Sequence, residues 1–133
     1  MIAAVADTHT ALWYLFDDER LSMAAGDFID QAGVAGHRIV VSSISLAEIV
    51  YLTEKNRVPA SAYTDLKTVL ADPDHVFKEA PFTVEIVDAL CQVPRAEVPD
   101  MPDRIVAATA LYFGVPVISC DSRIRSSNVH TVW

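Results

Sequence analysis

Five short strand candidates, the clearest of them apolar runs, alternate along this chain with segments whose apolar residues recur at helical spacing. The candidates are Ile2–Ala6, Arg38–Ser42, Val76–Pro81, Val115–Cys120 and Asn128–Trp133. The clearest of them are continuous rather than alternating apolar and polar. That pattern marks strands covered on both faces, as in parallel sheets. Helical spacing is read over Ala11–Phe16, Leu21–Ala35, from Ser45 to about Asn56, from Pro59 to the Asp72-Pro73 stop, over Thr83–Cys91 and over Asp103–Phe113, with Gly114 as a C-cap. Pro94–Pro102, with three prolines, is expected to be a loop. Strands alternating with helices predict an α/β three-layer sandwich, a central mainly parallel sheet flanked by helices.

The 133 residues fit a single domain spanning 1–133. A chain of this size buries about two-thirds of its unfolded surface and needs no disulfide or metal staple. Cys91 and Cys120 are too few for a disulfide framework and lack metal-type spacing, so two buried, reduced thiols are expected. Met1–Ala6 lacks the basic start of a secretion signal, and no apolar run reaches the ~18 residues of a spanning helix. A cytoplasmic protein without membrane association is expected. The balance of 10 Lys+Arg against 18 Asp+Glu, a net charge of −8, argues against a general coat for nucleic acid or anionic membrane. An enzyme whose local site meets nucleic acid through bridging cations stays open.

Position makes four of the acids informative. Asp7 follows the first apolar run, Glu48 lies in the first turn of the helix after the second, and Asp121 follows Val115–Cys120. Asp103 opens the helix before that run. In open parallel sheets, sites form at the carboxyl ends of the strands. From Asp103, positions i+3, i+4, i+7 and i+8 are Val106, Ala107, Ala110 and Leu111, so this acid sits above an apolar stripe.

Each acid also has a structural reading. Asp7 and Asp103 suit N-caps, Ser45 and Glu48 have the spacing of a capping box, and Asp121 suits a turn. Four carboxylates at one sheet edge are harder to explain as caps. Two of them about 4 Å apart repel by roughly 4 kcal/mol at an effective dielectric near 20. A divalent cation or a retained proton relieves that cost. Carboxylate and water oxygens suit Mg²⁺ or Mn²⁺, and no His/Cys set suits structural zinc.

These residues resemble a known family. Val5-Ala6-Asp7-Thr8-His9 followed by Leu12-Trp13, then Ser42-Ser43-Ile44-Ser45-Leu46-Ala47-Glu48-Ile49, carry the first half of the likeness. Asp100-Met101-Pro102-Asp103-Arg104-Ile105-Val106-Ala107-Ala108-Thr109-Ala110 and Pro116-Val117-Ile118-Ser119-Cys120-Asp121 carry the second, and Val132-Trp133 matches the family's ending. The ordered set resembles a PIN domain, and within it a VapC-like toxin ribonuclease of a type II toxin–antitoxin system. The resemblance implies a PIN-like sandwich, Mg²⁺- or Mn²⁺-dependent RNA hydrolysis, a homodimer and inhibition by a cognate VapB-like antitoxin. It places the family's four acids on Asp7, Glu48, Asp103 and Asp121, with Ser119 as the hydroxyl before the last acid and Asp100 as an additional acid.

On this reading Asp7, Asp103 and Asp121 hold the metal directly or through water, and Glu48 ligates it or orients the attacking water. Arg104, Arg123 and Arg125 flank the last two acids and are candidates for RNA phosphates, or are solvated surface groups. Lys55 and Arg57 end the Glu48 helix, where its dipole explains them. Trp13, Tyr14 and Phe16 suit either core or a partner's groove. Two other classes remain: another metal-dependent phosphoryl hydrolase, and a non-catalytic binding module whose acids cap helices. The aspartyl-nucleophile version of the first wants Asp-x-Asp after the first strand, where Asp7 is followed by Thr8-His9.

Overall fold

In the computed structural model, which describes residues 1–133, every strand candidate contributes a strand. They are β1 (Ile2–Ala6), β2 (Arg38–Ser42), β3 (Phe77–Ala80), β4 (Val117–Ile118) and β5 (Thr131–Val132). The sheet is parallel throughout, in the order β3-β2-β1-β4-β5. Strand β4 is shorter than its apolar run. Pro116 has no N–H for the ladder, although its carbonyl still accepts from Val5 N at 3.0 Å.

Seven helices connect and cover the strands: α1 (Thr8–Leu15), α2 (Met23–Val34), α3 (Ser43–Glu54), α4 (Ala62–Ala71), α5 (Val84–Leu90), α6 (Met101–Phe113) and α7 (Ser122–Arg125). Successive strand residues point to opposite faces, and this sorts the core into two halves. Ala4, Ala6, Ile39, Val41, Phe77 and Ile118 pack with Leu12, Ile29, Ile49 and Leu66 of α1–α4. Val5, Val40, Ala80 and Val117 pack with Ile86, Val106, Ala110 and Ile124 of α5–α7. Each fully buried Val, Leu, Ile or Phe contributes about 1.5–3 kcal/mol relative to exposure. This is the expected three-layer α/β sandwich.

The helix starts differ from the expected ones for a common reason. Side-chain caps lie upstream of the first apolar-periodic residue. Asp7 accepts from Thr10 N, so α1 begins at Thr8 rather than Ala11. Asp100 accepts from Asp103 N, so α6 begins at Met101, with Pro102 in its first turn, and Asp103 is not its cap. Ser42 accepts from Ile44 N, so α3 begins at Ser43. Ser45 is therefore buried inside the helix, and the Ser45–Glu48 capping box does not form. The Pro59 segment makes a turn before α4, whose first residue is Ala62. Gly114 ends α6 in the left-handed region, φ 67°, as its sequence position suggests.

The sheet order fixes where a site forms. The chain runs outward from β1 through β2 to β3, then returns to lay β4 on the other side of β1. The crevice outside the carboxyl ends of β1 and β4 is thus a topological switch point. Asp7 and Asp121 sit just past those two strands.

Candidate active site

Asp7 leaves β1 already tied to β4: its N–H donates to the Ile118 carbonyl at 3.2 Å. The carboxylate is divided between two tasks. Oδ1 accepts from Thr10 N at 2.8 Å, capping α1, and Oδ2 accepts from the Ser119 hydroxyl. Ser119 is fully buried and also accepts from Asp121 N at 3.0 Å. One serine therefore links the acids that follow β1 and β4. Asp121 caps α7 by accepting from Arg123 N at 2.9 Å and Ile124 N at 3.1 Å. For Asp7 and Asp121, capping and a place in the crevice are the same geometry.

Glu48 arrives from α3, half-buried, and is held by α1. The Thr8 hydroxyl is hydrogen-bonded to Glu48 Oε1 at 2.5 Å and to Ser45 Oγ at 2.9 Å. Thr8 and Ser45 are both buried, and their hydroxyls are engaged with each other and with Glu48. Asp100 and Asp103 come from the first turn of α6. Asp7, Glu48, Asp100, Asp103 and Asp121 line one open cleft of about 480 Å³, together with Thr8, His9, Trp13, Tyr51, Leu52, Arg57 and Cys120.

The acids feel one another. Asp103 is pushed up to about 7, first by burial and then by the charges of Asp100, Asp121, Glu48 and Asp7. Burial and the Asp7 charge likewise raise the Cys120 thiol. Both cysteines are free, as expected, but exposed rather than buried. Cys91 falls at the outer end of α5, and Cys120 falls past β4 at the cleft wall.

Folded Asp103 keeps a proton that the unfolded chain loses near its ordinary value of 3.8. Between those two values the native state binds more protons, so its stability falls as pH rises from about 4 to about 7 and then levels. Denaturant unfolding in EDTA at pH 5 and pH 7.5 should show the lower midpoint at pH 7.5. Asp103→Asn should narrow that gap. An unchanged gap would place the titration elsewhere.

The donor set is hard oxygen. As placed, no three His, Cys, Asp or Glu side chains converge on a single point that encloses an ion. The set is open instead, with Asp7 and Glu48 already held by Ser119 and Thr8. That fits Mg²⁺, which keeps several waters and takes only one or two carboxylates, better than an ion needing an all-protein cage. The raised thiol of Cys120 favours its protonated form and is a poor ligand.

The arginines divide. Arg104 is turned away from the cleft: its Nε donates to Val93 O at 2.8 Å and a terminal nitrogen to Leu90 O at 3.3 Å. Leu90 ends α5 and Val93 lies in the turn beyond it, so Arg104 fastens α6 to that segment rather than facing a phosphate. Arg123 and Arg125 are exposed on α7 without an ion pair, and Arg125 is near enough to Cys120 to oppose the rise of its thiol. Arg57, assigned to a helix end by its sequence position, lies on the cleft wall. Tyr51, three residues beyond Glu48, lies there too. The signal for it was the spacing i, i+3 from a candidate acid, which puts both on one helix face. Tyr14 packs on Phe77, while Trp13 is at the rim, against His9 and Trp133.

Residues 4–128 match the PIN domain family. The chain belongs to that family. This PIN domain is 29% identical to Ribonuclease VapC22 of Mycobacterium tuberculosis, over the full length of both chains. Its fold is similar to that in the crystal structure of VapBC2 from Rickettsia felis bound to a DNA fragment from their promoter. That match has a TM-score of 0.70 and 14% identity, over 98% of this PIN domain and 97% of the other chain. A toxin–antitoxin complex from Klebsiella pneumoniae is similar as well, with a TM-score of 0.62 and 17% identity over the same shares. No helix of this PIN domain is long and apolar enough to cross a membrane.

Proposed function

We propose that this PIN domain is a Mg²⁺- or Mn²⁺-dependent endoribonuclease, acting in the cytoplasm as the toxin of a toxin–antitoxin pair. The observation that carries the reading is the meeting of Asp7, Glu48, Asp103 and Asp121 in one cleft at the β1/β4 switch point, with Asp100 beside them. The likeness to a VapC ribonuclease and to toxin–antitoxin complexes supports it. A VapB-like antitoxin and a second copy of the chain are the proposed protein partners.

Asp7, Asp103 and Asp121 would hold the ion, directly or through water. When bound, a divalent cation supplies charge neutralisation at the phosphate and a more acidic water. The protein's own groups do the positioning. Ser119 holds Oδ2 of Asp7 and the backbone of Asp121, so these two acids keep a fixed relation. Thr8 holds one oxygen of Glu48, leaving the other to orient and accept a proton from the attacking water. Asp103, pushed up to about 7, would give up its proton on holding a cation.

A metal that binds only the native state stabilises it by RT ln(1+[L]/Kd), about 2.7 kcal/mol at a hundredfold excess over Kd. Millimolar Mg²⁺ or Mn²⁺ should therefore raise the melting temperature of the native protein by several degrees. Asp103→Asn should lose most of that gain. Equal melting of the native protein with metal and with EDTA would remove the metal from the proposal.

A further inference from the structure

The wall of the cleft away from the acids carries a second set of groups, and the following inference rests on the ribonuclease reading above. Tyr51 is 55% exposed although large and aromatic, and its helix already buries Ile49 and Leu52 toward the core. It is held in place by Lys55, whose Nζ lies 5.5 Å from the ring centre. Across from α3, α1 supplies His9 and Trp13. Trp13 is fixed between Arg20, 5.1 Å above its ring, and Trp133, 5.9 Å from its ring centre.

Arg57 is the only Lys or Arg on this cleft, which carries five carboxylates. It nevertheless makes no ion pair and no side-chain hydrogen bond; the chain's single ion pair joins Arg20 to Asp18. A second groove, of about 150 Å³, continues from the cleft and shares His9, Trp13 and Arg57 with it. A free guanidinium beside the exposed side chains of Tyr51 and His9, continuous with a carboxylate-lined cleft, matches the chemistry of a nucleotide. Proteins bind single-stranded RNA by stacking unstacked bases on aromatic faces and by setting cations against the backbone.

We propose that Arg57, with Tyr51, His9 and Trp13, forms a subsite for one nucleotide flanking the cleaved bond of single-stranded RNA. Arg57 takes its phosphate and the aromatic wall takes its base. Charge complementarity selects this occupant. The acids repel a bare anion, so an RNA strand entering over a bound cation gains from the one unpaired cationic side chain on its path.

The test uses the full-length Asp7→Asn protein in Mg²⁺, so that RNA stays intact during titration. The probe is a fluorescent single-stranded RNA hexamer, with versions made abasic at each position in turn. Tyr51→Ala and Arg57→Ala should each weaken binding about tenfold, and Tyr51→Phe should restore it. Arg57→Ala should also reduce the salt slope by about 0.7, whereas Tyr51→Ala should leave the slope alone. One abasic position should weaken binding to the parent and cost nothing further in Tyr51→Ala. Both side chains are exposed, so neither change threatens folding.

Parent-like binding by both alanine variants would overturn the subsite. It is equally overturned if the variants weaken only the complex with a protein inhibitor, or if the parent does not bind the hexamer. Cleavage by the native chain separates the two readings. Intact cleavage with unaffected variants sinks the subsite alone. Tyr51-dependent binding by a chain that cannot cleave RNA sinks the ribonuclease reading alone.

Discussion

Asp7→Asn should fold like the native chain and cut RNA at least about 10²-fold more slowly, the loss typical when one electrostatic contact is removed from a catalytic site. Asparagine keeps the size of the carboxylate, and its carbonyl oxygen can still accept from Thr10 N. Asn and Asp cap helices about equally well, so α1 should survive. What is lost is one negative charge among five in the cleft. If Asp7 were only a cap, that loss would leave activity intact. Relief of repulsion should even raise the melting temperature of the metal-free variant. Asp103→Asn should behave in the same way, more cleanly, because Asp100 rather than Asp103 caps α6. Circular dichroism checks the fold, and the cleavage rate at matched Mg²⁺ decides the role.

Phe77→Ala is expected to do the reverse, costing about 3–5 kcal/mol of stability as for other buried Phe→Ala changes. Phe77 is fully buried on β3, with Tyr14 of α1 5.3 Å away between ring centres and His75 also at 5.3 Å. Its removal leaves a cavity where β3, α1 and α4 meet, and the edge strand can collapse only partly. Small domains are stable by only about 5–15 kcal/mol, so this one side chain accounts for a large share. Urea unfolding should show a much lower midpoint with a similar slope. The residual folded protein should still bind Mg²⁺, because Phe77 is not among the residues that line the cleft. A loss under about 1 kcal/mol would mean that the packing around β3 is looser than described.

The strands were legible because buried parallel strands carry uninterrupted apolar runs, and β1 and β2 fall where Ile2–Ala6 and Arg38–Ser42 stand. The sheet order then follows a rule that brings Asp7 and Asp121 together. Helix starts were less legible. Asp100 and Asp103 are both good caps three residues apart, and only the backbone decides that the first caps and the second faces the cleft. Ser42 and Ser45 posed the same choice: the Ser42 hydroxyl accepts from Ile44 N and caps the helix, while that of Ser45 is taken by Thr8. Arg104 stands beside Asp103 in sequence, yet its guanidinium is taken by the carbonyls of Leu90, at the end of α5, and Val93, just beyond it. Tyr51 and Arg57 carried no signal of their own strong enough to single them out, because the wall they form exists only once α1 packs on α3.

That the clustered carboxylates work by holding a divalent cation against RNA is tested most directly by following cleavage of a single-stranded RNA by the purified native protein. Three conditions are compared: Mg²⁺, excess EDTA, and Mg²⁺ restored after EDTA. Cleavage is expected in the first, none in the second and recovery in the third, with at least about 10²-fold less throughout for Asp7→Asn. Cleavage that persists undiminished in EDTA, or in Asp7→Asn at matched Mg²⁺, would contradict a cation-holding role for these acids.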